Sequence, residues 1–183
     1  MNGRSGHIKK IKQICKKNKI NFSGYRPKYL SGDNAKTFNV VKYEMIKAEK
    51  LRKKKYKYIL LLQPTCPVID IKKLKKSLKI IRGSKFDSVL SINDVGSYHP
   101  FRMKKIIKNK LQNIFNNNKE NFDPRQNLPK IYIRSGSIYL IKRESFFKYN
   151  SFVGKNCYGI KVSGNETINI DTLEDLERFK KLF

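Results

Sequence analysis

The sequence predicts an α/β fold built on a mostly parallel sheet, and three observations predict it. Two short apolar runs, Tyr58–Leu62 and Ser88–Ile92, are bounded by polar or turn residues, as strands buried on both faces are. Between them, Ile71–Ile81 carries apolar residues at helical spacing, and strand, helix, strand in that order is the pattern of a parallel βαβ unit. The chain closes on a short apolar segment, Ile168–Ile170, running into an amphipathic stretch with a relaxed capping box at Thr172–Asp175.

Taken in order, Ser5–Lys17 places Ile8, Ile11, Ile14 and Cys15 on one face of a helix, with Ser5 as its expected cap. Ile20–Phe22 reads as a short strand, and Ser23-Gly-Tyr-Arg-Pro27 as a turn ending in an extended residue before proline. Thr37–Arg52 is a second helix with Val40, Val41, Met45 and Ala48 inward. Gly83 marks the end of the helix that begins at Ile71. Residues 96–127, with Asn116-Asn117-Asn118 and little periodicity, form a loop-rich excursion, either a surface insertion or an oligomerisation arm. Ile131–Ile133 and Ser137–Ile141 read as two strands, Arg143–Tyr149 as a short helix, and Leu173, Leu176 and Phe179 as the inner face of the last helix.

A length of 183 residues suits a single domain with a substantial core, and 39% hydrophobic residues argue against disorder. The longest apolar run, Ile59–Leu62, is far too short to span a membrane, and no signal-like segment opens the chain, so the cytoplasm is the expected compartment. Cys15, Cys66 and Cys157 lack the spacing of a zinc or redox site and read as reduced structural cysteines. The net charge of +28 comes from lysines in nearly every segment, with no single stripe and an excess of Asn, Ile, Tyr and Phe typical of AT-rich coding. Nucleic acid is therefore not the expected main partner, since charge speaks to partners only when it is gathered.

In open α/β sheets, ligands bind beyond the carboxyl ends of strands. Polar residues at such places are Gln63-Pro-Thr65, His99-Pro100, Ser135-Gly136 and Asn169-Ile-Asp171. Read with Arg26-Pro-x-x-Leu30-x-x-Asp33, Leu61-Leu-Gln-Pro-Thr-Cys-Pro67, Asp87-Ser-Val-Leu-Ser91, Arg125-Gln-x-Leu-Pro129, Ser135-Gly-Ser-Ile-Tyr139 and Ile168-Asn-Ile-Asp-Thr172, these clusters resemble the CMP-N-acylneuraminate synthetases (acylneuraminate cytidylyltransferases) across about nine-tenths of the chain.

The resemblance implies a three-layer Rossmann-like nucleotidyltransferase fold acting as a homodimer through the 96–127 excursion. It also implies transfer of CMP from CTP to a nonulosonic acid with release of pyrophosphate and help from Mg2+. Positioning and charge neutralisation supply most of the rate in such a transfer. By resemblance, Arg26, Ala35 and Thr37 line the cytidine site, and Gln63, Arg125, Ser135, Gly136 and Tyr139 hold the sugar. Arg125 is suited to a bidentate grip on its carboxylate. Asp171 carries the metal in the catalytic role, with Asn169 as an uncharged companion where the family has a second aspartate.

Other roles stand beside these. Arg125 is equally a solvated cation, Gln63 the end of a strand, Tyr139 ordinary packing, Asp171 a favourable charge at a helix start, and His99 a turn marker. Ser135 stands where the family has asparagine, and Met1 falls near the helix preceding Arg26-Pro27, so the family's first strand and phosphate loop are expected to be missing from this chain. An inactive nucleotide-sugar-binding relative and a basic RNA-binding module are the rival readings.

Overall fold

A computed structural model describes residues 3–32, 34–83, 85–114 and 122–182. Asp33 of the Arg26-Pro27 motif and Asn116–Asn118 of the excursion lie outside the described residues. The chain divides into two compact units, Met1–Tyr56 and Lys57–Phe183.

In the first unit, α1 spans Gly3–Lys17 and α2 spans Thr37–Arg52. Helix α1 begins two residues before Ser5, which therefore sits inside the helix instead of capping it. Its apolar stripe stays exposed at Ile11 and Ile14. Met45 is the buried residue of α2, with Val40, Val41 and Ala48 half-buried around it. Ile20–Phe22 makes no strand; that segment is irregular, and Gly24 turns it at φ +95°. The Lys47 ammonium donates to the Ser23 carbonyl there. A single 3-10 turn at Lys28–Leu30 follows, burying Leu30.

The second unit is a mixed sheet. Its strands are β1 (Tyr58–Leu61), β2 (Ser88–Asp94), β5 (Tyr132–Lys142) and β6 (Cys157–Lys161), in the order β1-β5-β2-β6. β5 is antiparallel to both neighbours, and only β2 and β6 pair in parallel. The expected mostly parallel sheet is thus corrected to a mostly antiparallel one. β1 and β2 do run the same way across α3 (Ile71–Gly83), as a βαβ crossover requires, but β5 lies between them. The apolar runs were uninformative about direction, because a strand covered on both faces has the same composition whichever way it runs. The connection decides it. Among the described residues of 95–131 there is no crossover helix, and the segment returns to the sheet end it left, with the Val95 amide donating to the Ile131 carbonyl, so β5 runs back along β2.

Within that excursion the chain forms a two-stranded hairpin, β3 (Lys104–Ile107) and β4 (Lys110–Asn113), where a loop is expected. Lys108 and Asn109, both at positive φ, make its two-residue turn. β5 is one strand where two are expected, and β6 was not foreseen at all. Ile168–Ile170 forms no ladder; it is an extended link between a 3-10 turn (Gly164–Thr167) and α5 (Leu173–Lys180).

One face of the sheet packs on α3 through Ile81, Val89, Ile138, Leu140 and Ile160, each burial contributing about 1.5–3 kcal/mol. The opposite face, reached by the alternate residues of β5, packs Tyr139 edge-on to Phe152 and Phe152 onto Phe146 of α4 (Arg143–Tyr149). Asp87 holds the loop into β6: its carboxylate accepts from the amides of Lys155 (2.9 Å) and Asn156 (3.2 Å), while Ser88 Oγ accepts from Gly154. Only glycine fits at 154, since a Cβ there would lie 2.0 Å from Asp87 Oδ1.

Candidate functional site

The strand directions bring the polar clusters of the second unit to one end of its sheet. The carboxyl ends of β1, β2 and β6 and the amino end of β5 all lie there, so Gln63, Asp94, the residues after Lys161, and Tyr132 share that end.

A bulge in β5 builds the first half of the site. Leu90 pairs with Tyr139 and Ile92 with Arg134, so Ser135–Ile138 lie opposite the single residue Ser91. The buried Ser91 hydroxyl replaces the lost ladder there: it accepts from the Ile138 amide at 2.8 Å and donates to the Ile138 carbonyl at 3.3 Å. The bulge leaves Gly136 at φ +87°, a conformation that costs an L side chain. It also presses the Gly136 backbone against the loop after β1. A Cβ on Gly136 would stand 2.6 Å from Gln63 Oε1 and 2.8 Å from Cys66 Sγ.

Cys66 ties the cluster together. Its thiol lies 3.4 Å from the Ser135 carbonyl and 3.5 Å from Asn169 Oδ1, both acceptors for its one proton. The Asn169 amide donates in turn to Asp171 Oδ2 at 2.5 Å, and the Ile170 amide donates to the Thr65 carbonyl at 2.7 Å. Burial raises the Cys66 thiol above its ordinary pKa, and the Asp171 carboxylate adds to that, against an opposing hydrogen bond from Thr65. A buried thiol held protonated is a donor and not a nucleophile. The sequence alone predicts Cys66 as a structural cysteine; its place three residues after Gln63 in Leu61-Leu-Gln-Pro-Thr-Cys-Pro67 is the signal in the chain for this further role.

The second half lies at the end of β2. Asp94 accepts from the Gly96 amide at 2.7 Å, and Arg125 stands 3.6 Å from the same carboxylate. Asp94, Gly96, His99, Arg125 and Lys130 border a cavity of about 310 Å³. Beside it Lys161 lies over the Tyr132 ring at 4.6 Å, its pKa raised first by the Tyr132 hydroxyl and least by Asp94. His99 is buried and committed: Nδ1 accepts from the Phe101 amide, which leaves Nε2–H to donate to the Pro129 carbonyl at 3.1 Å. It marks the turn, as expected.

Gln63, Ser135, Gly136, Asn169 and Asp171 are thus brought together, with Arg125 at the neighbouring cavity. Tyr139 goes to the aromatic cluster on the α4 face. Arg26 and Thr37 are exposed and Ala35 is half-buried, all in the first unit, where Ser31 Oγ donates to the carbonyls of Arg26 and Pro27.

Magnesium finds a thin donor set. Asp171 is the carboxylate that the Asn169 side chain meets, and Asn169 presents an N–H to it instead of an oxygen, occupying a lone pair that a cation would need. Among the described residues, no three His, Cys, Asp or Glu gather as a metal site. As arranged, these residues do not fit an ion held by the protein alone. Thr172 and Asp175 close the segment with a reciprocal capping box, and the Thr172 hydroxyl and neighbouring amides hold the Asp175 carboxyl below its ordinary range.

Among the described residues, no helix is long and apolar enough to cross a membrane. No protein-family model matches the chain, and no curated protein does.

Proposed function

We propose that the chain is a cytidylyltransferase that passes CMP from CTP to a nonulosonic acid and releases pyrophosphate. The observation that carries this reading is the convergence of Gln63, Ser135–Gly136 and Asn169–Asp171 at one sheet end, next to a cavity bordered by Arg125 and Lys130. Amide and hydroxyl groups there suit a polyhydroxylated sugar, and a cationic cavity suits its carboxylate. In the reaction, the anomeric oxygen of the sugar acid bonds to the α-phosphorus of CTP. The bond from that phosphorus to the bridging oxygen breaks, pyrophosphate leaves, and the hydroxyl proton passes to solvent. The protein contributes positioning and positive charge. Arg26, Ala35 and Thr37 are the cytidine-contacting residues of this reading, and magnesium arrives with the triphosphate. A nucleotidyltransferase fold, dimeric through the hairpin β3–β4, belongs to the same proposal.

Pyrophosphate release from CTP and a panel of nonulosonic acids tests it: the chain turns over at least one acid, and Arg125→Ala abolishes turnover. An Arg125→Ala variant as active as the parent, or a chain that neither turns over nor binds CTP, overturns the reading. The Asn169–Asp171 contact favours a second reading, a relative that binds nucleotide and sugar acid without turning them over. Calorimetric binding of CTP with no pyrophosphate release identifies that case.

A further inference from the structure

We propose that the outer edge of α3 is a docking surface for the phosphate backbone of a polynucleotide. The helix Ile71–Gly83 carries Lys72, Lys73, Lys75, Lys76, Lys79 and Arg82 and no acidic residue. Its inner face is consumed by the core, with Ser77 and Ile81 buried and Leu74, Leu78 and Ile80 packed against the cluster. Its acidic neighbours are consumed as well. Asp70 accepts from the amides of Lys72 and Lys73 at the helix start, and Glu166 pairs with Lys73.

Of the remaining Lys72, Lys75, Lys76, Lys79 and Arg82, the three Lys75, Lys79 and Arg82 lie one helical turn apart in succession, and none of these three forms an ion pair among the described residues. Together with Leu78 and Gly83 they border a concavity of about 530 Å³. On α5, by contrast, the cations are paired: Arg178 meets Glu174 at 2.8 Å and Lys180 meets Glu177 at 2.7 Å. Lysine-rich composition explains many cations on α3, but not their gathering around one hollow without a counter-charge. Like charges at such spacing repel by a few tenths of a kcal/mol per pair, a cost that a bound polyanion removes.

The shape of the charge selects the partner. Three cations along about 10 Å of helix axis match about three phosphates of one strand, which rise about 3.4 Å each along a duplex. The concavity has no aromatic or amide side chain to stack on or read a base, so binding is to the backbone and indifferent to sequence. A membrane surface would call for exposed apolar side chains flanking the lysines, and the apolar residue in the hollow, Leu78, is half-buried against the core. Arg82 and Gly83 lead into the amino end of β2, the sheet end opposite Gln63, so this surface is independent of the cytidylyltransferase reading.

Fluorescence anisotropy of a labelled mixed-sequence RNA 20-mer, titrated across salt, tests the proposal. The parent binds with affinity that falls steeply with salt. Lys75→Gln/Lys79→Gln/Arg82→Gln weakens binding on the order of tenfold or more at 0.1 M salt and lowers the log–log slope by about 2, at about 0.7 per cation for a single strand. Lys79→Gln and Arg82→Gln alone each lower the slope by about 0.7. The same charge removed from α1, by Lys9→Gln/Lys10→Gln/Lys12→Gln, leaves the slope within error of the parent. Equal losses from both triple variants mean diffuse charge and overturn the proposal, as does no binding by the parent. Binding to phosphatidylserine vesicles that the α3 variant loses, while RNA binding is unchanged, also overturns it in favour of a membrane surface.

Discussion

Replacing Gly136 by alanine tests the bulge that assembles the site. At φ +87° an L side chain costs about 1–2 kcal/mol. The new methyl would also stand 2.6 Å from Gln63 Oε1 and 2.8 Å from Cys66 Sγ. Gln63 is the far end of a flexible, half-buried side chain and can move; Cys66 is buried and its sulfur sits between two acceptors, so it cannot easily yield. Overpacking of this kind adds about 1–3 kcal/mol, against about 0.4–1 kcal/mol recovered from a stiffer unfolded chain. The net loss is about 1.5–4 kcal/mol, or roughly 3–16 °C in Tm for a chain of this size. Urea unfolding should show the midpoint falling with the slope unchanged. Gln63→Ala in the same chain removes one of the two clashes, so the double variant should be less destabilised than the sum by at least about 0.5 kcal/mol. A loss below about 0.5 kcal/mol for Gly136→Ala, with no coupling to Gln63, would refute the packing of Gln63 and Cys66 against the bulge.

Ser91→Ala strips the Ile138 amide of its partner in a fully buried place and should cost about 1–3 kcal/mol by chemical denaturation; a neutral result would mean the bulge repairs its own ladder. Asn169→Asp turns an N–H donor beside Asp171 into a second carboxylate, so magnesium should begin to stabilise the protein. At 10 mM Mg2+ and a millimolar Kd the gain is about 1.4 kcal/mol in a thermal melt, whereas the parent should not respond, and equal responses would contradict the contact described. Asp175 has its carboxyl held below the ordinary range, so its contribution is present above that range and is lost as pH falls through the depressed value. The urea midpoint of Asp175→Asn should therefore sit below the parent's at neutral pH and converge with it in strong acid; a constant gap would rule out the capping carboxylate as its source.

What was legible in the sequence was local. α2, α4 and the capping box of α5 follow from periodicity and from Thr172-Leu-Glu-Asp175, each a signal within one or two turns. What was not legible depends on partners distant in the chain. β6 is short and broken in appearance by Gly159, which leaves room for the Ile92 side chain, whose Cδ1 would otherwise have to move from the 2.5 Å at which a Cβ there would meet it. The hairpin β3–β4 hides in a lysine-rich stretch, since an exposed two-stranded ribbon needs no apolar alternation against a core. β5 looked like two strands because Ser-Gly-Ser reads as a turn, and only the Ser91 hydroxyl across the sheet shows why the strand continues through it. Even so, the antiparallel course of β5 had a signal: the 96–127 stretch lacks the apolar periodicity of a crossover helix, and without a crossover a neighbouring strand must return antiparallel.

The same bulge bears on whether Gln63 and Arg125 can serve one ligand. Without it, Gly136 would lie four residue rises, or about 13 Å, from Tyr132 and its partner Asp94. Because Ser135–Ile138 sit opposite Ser91 alone, the interval is set by β2, where Ser91 to Asp94 is three rises or about 10 Å. Arg125 closes part of that interval by the length of its side chain, and its present partner is easily given up. The Arg125–Asp94 pair is more than half exposed on both sides, and such pairs contribute only about 0–1 kcal/mol. A ligand carboxylate in the cavity therefore competes with Asp94 at little cost, provided it brings hydrogen bonds to Gln63 or the Ser135 hydroxyl at its other end. A ligand with a carboxylate but no polyol tail meets only the weak half of the site, so affinity for a simple carboxylate should fall far below that for the sugar acid, and Gly136→Ala should narrow that difference by displacing Gln63.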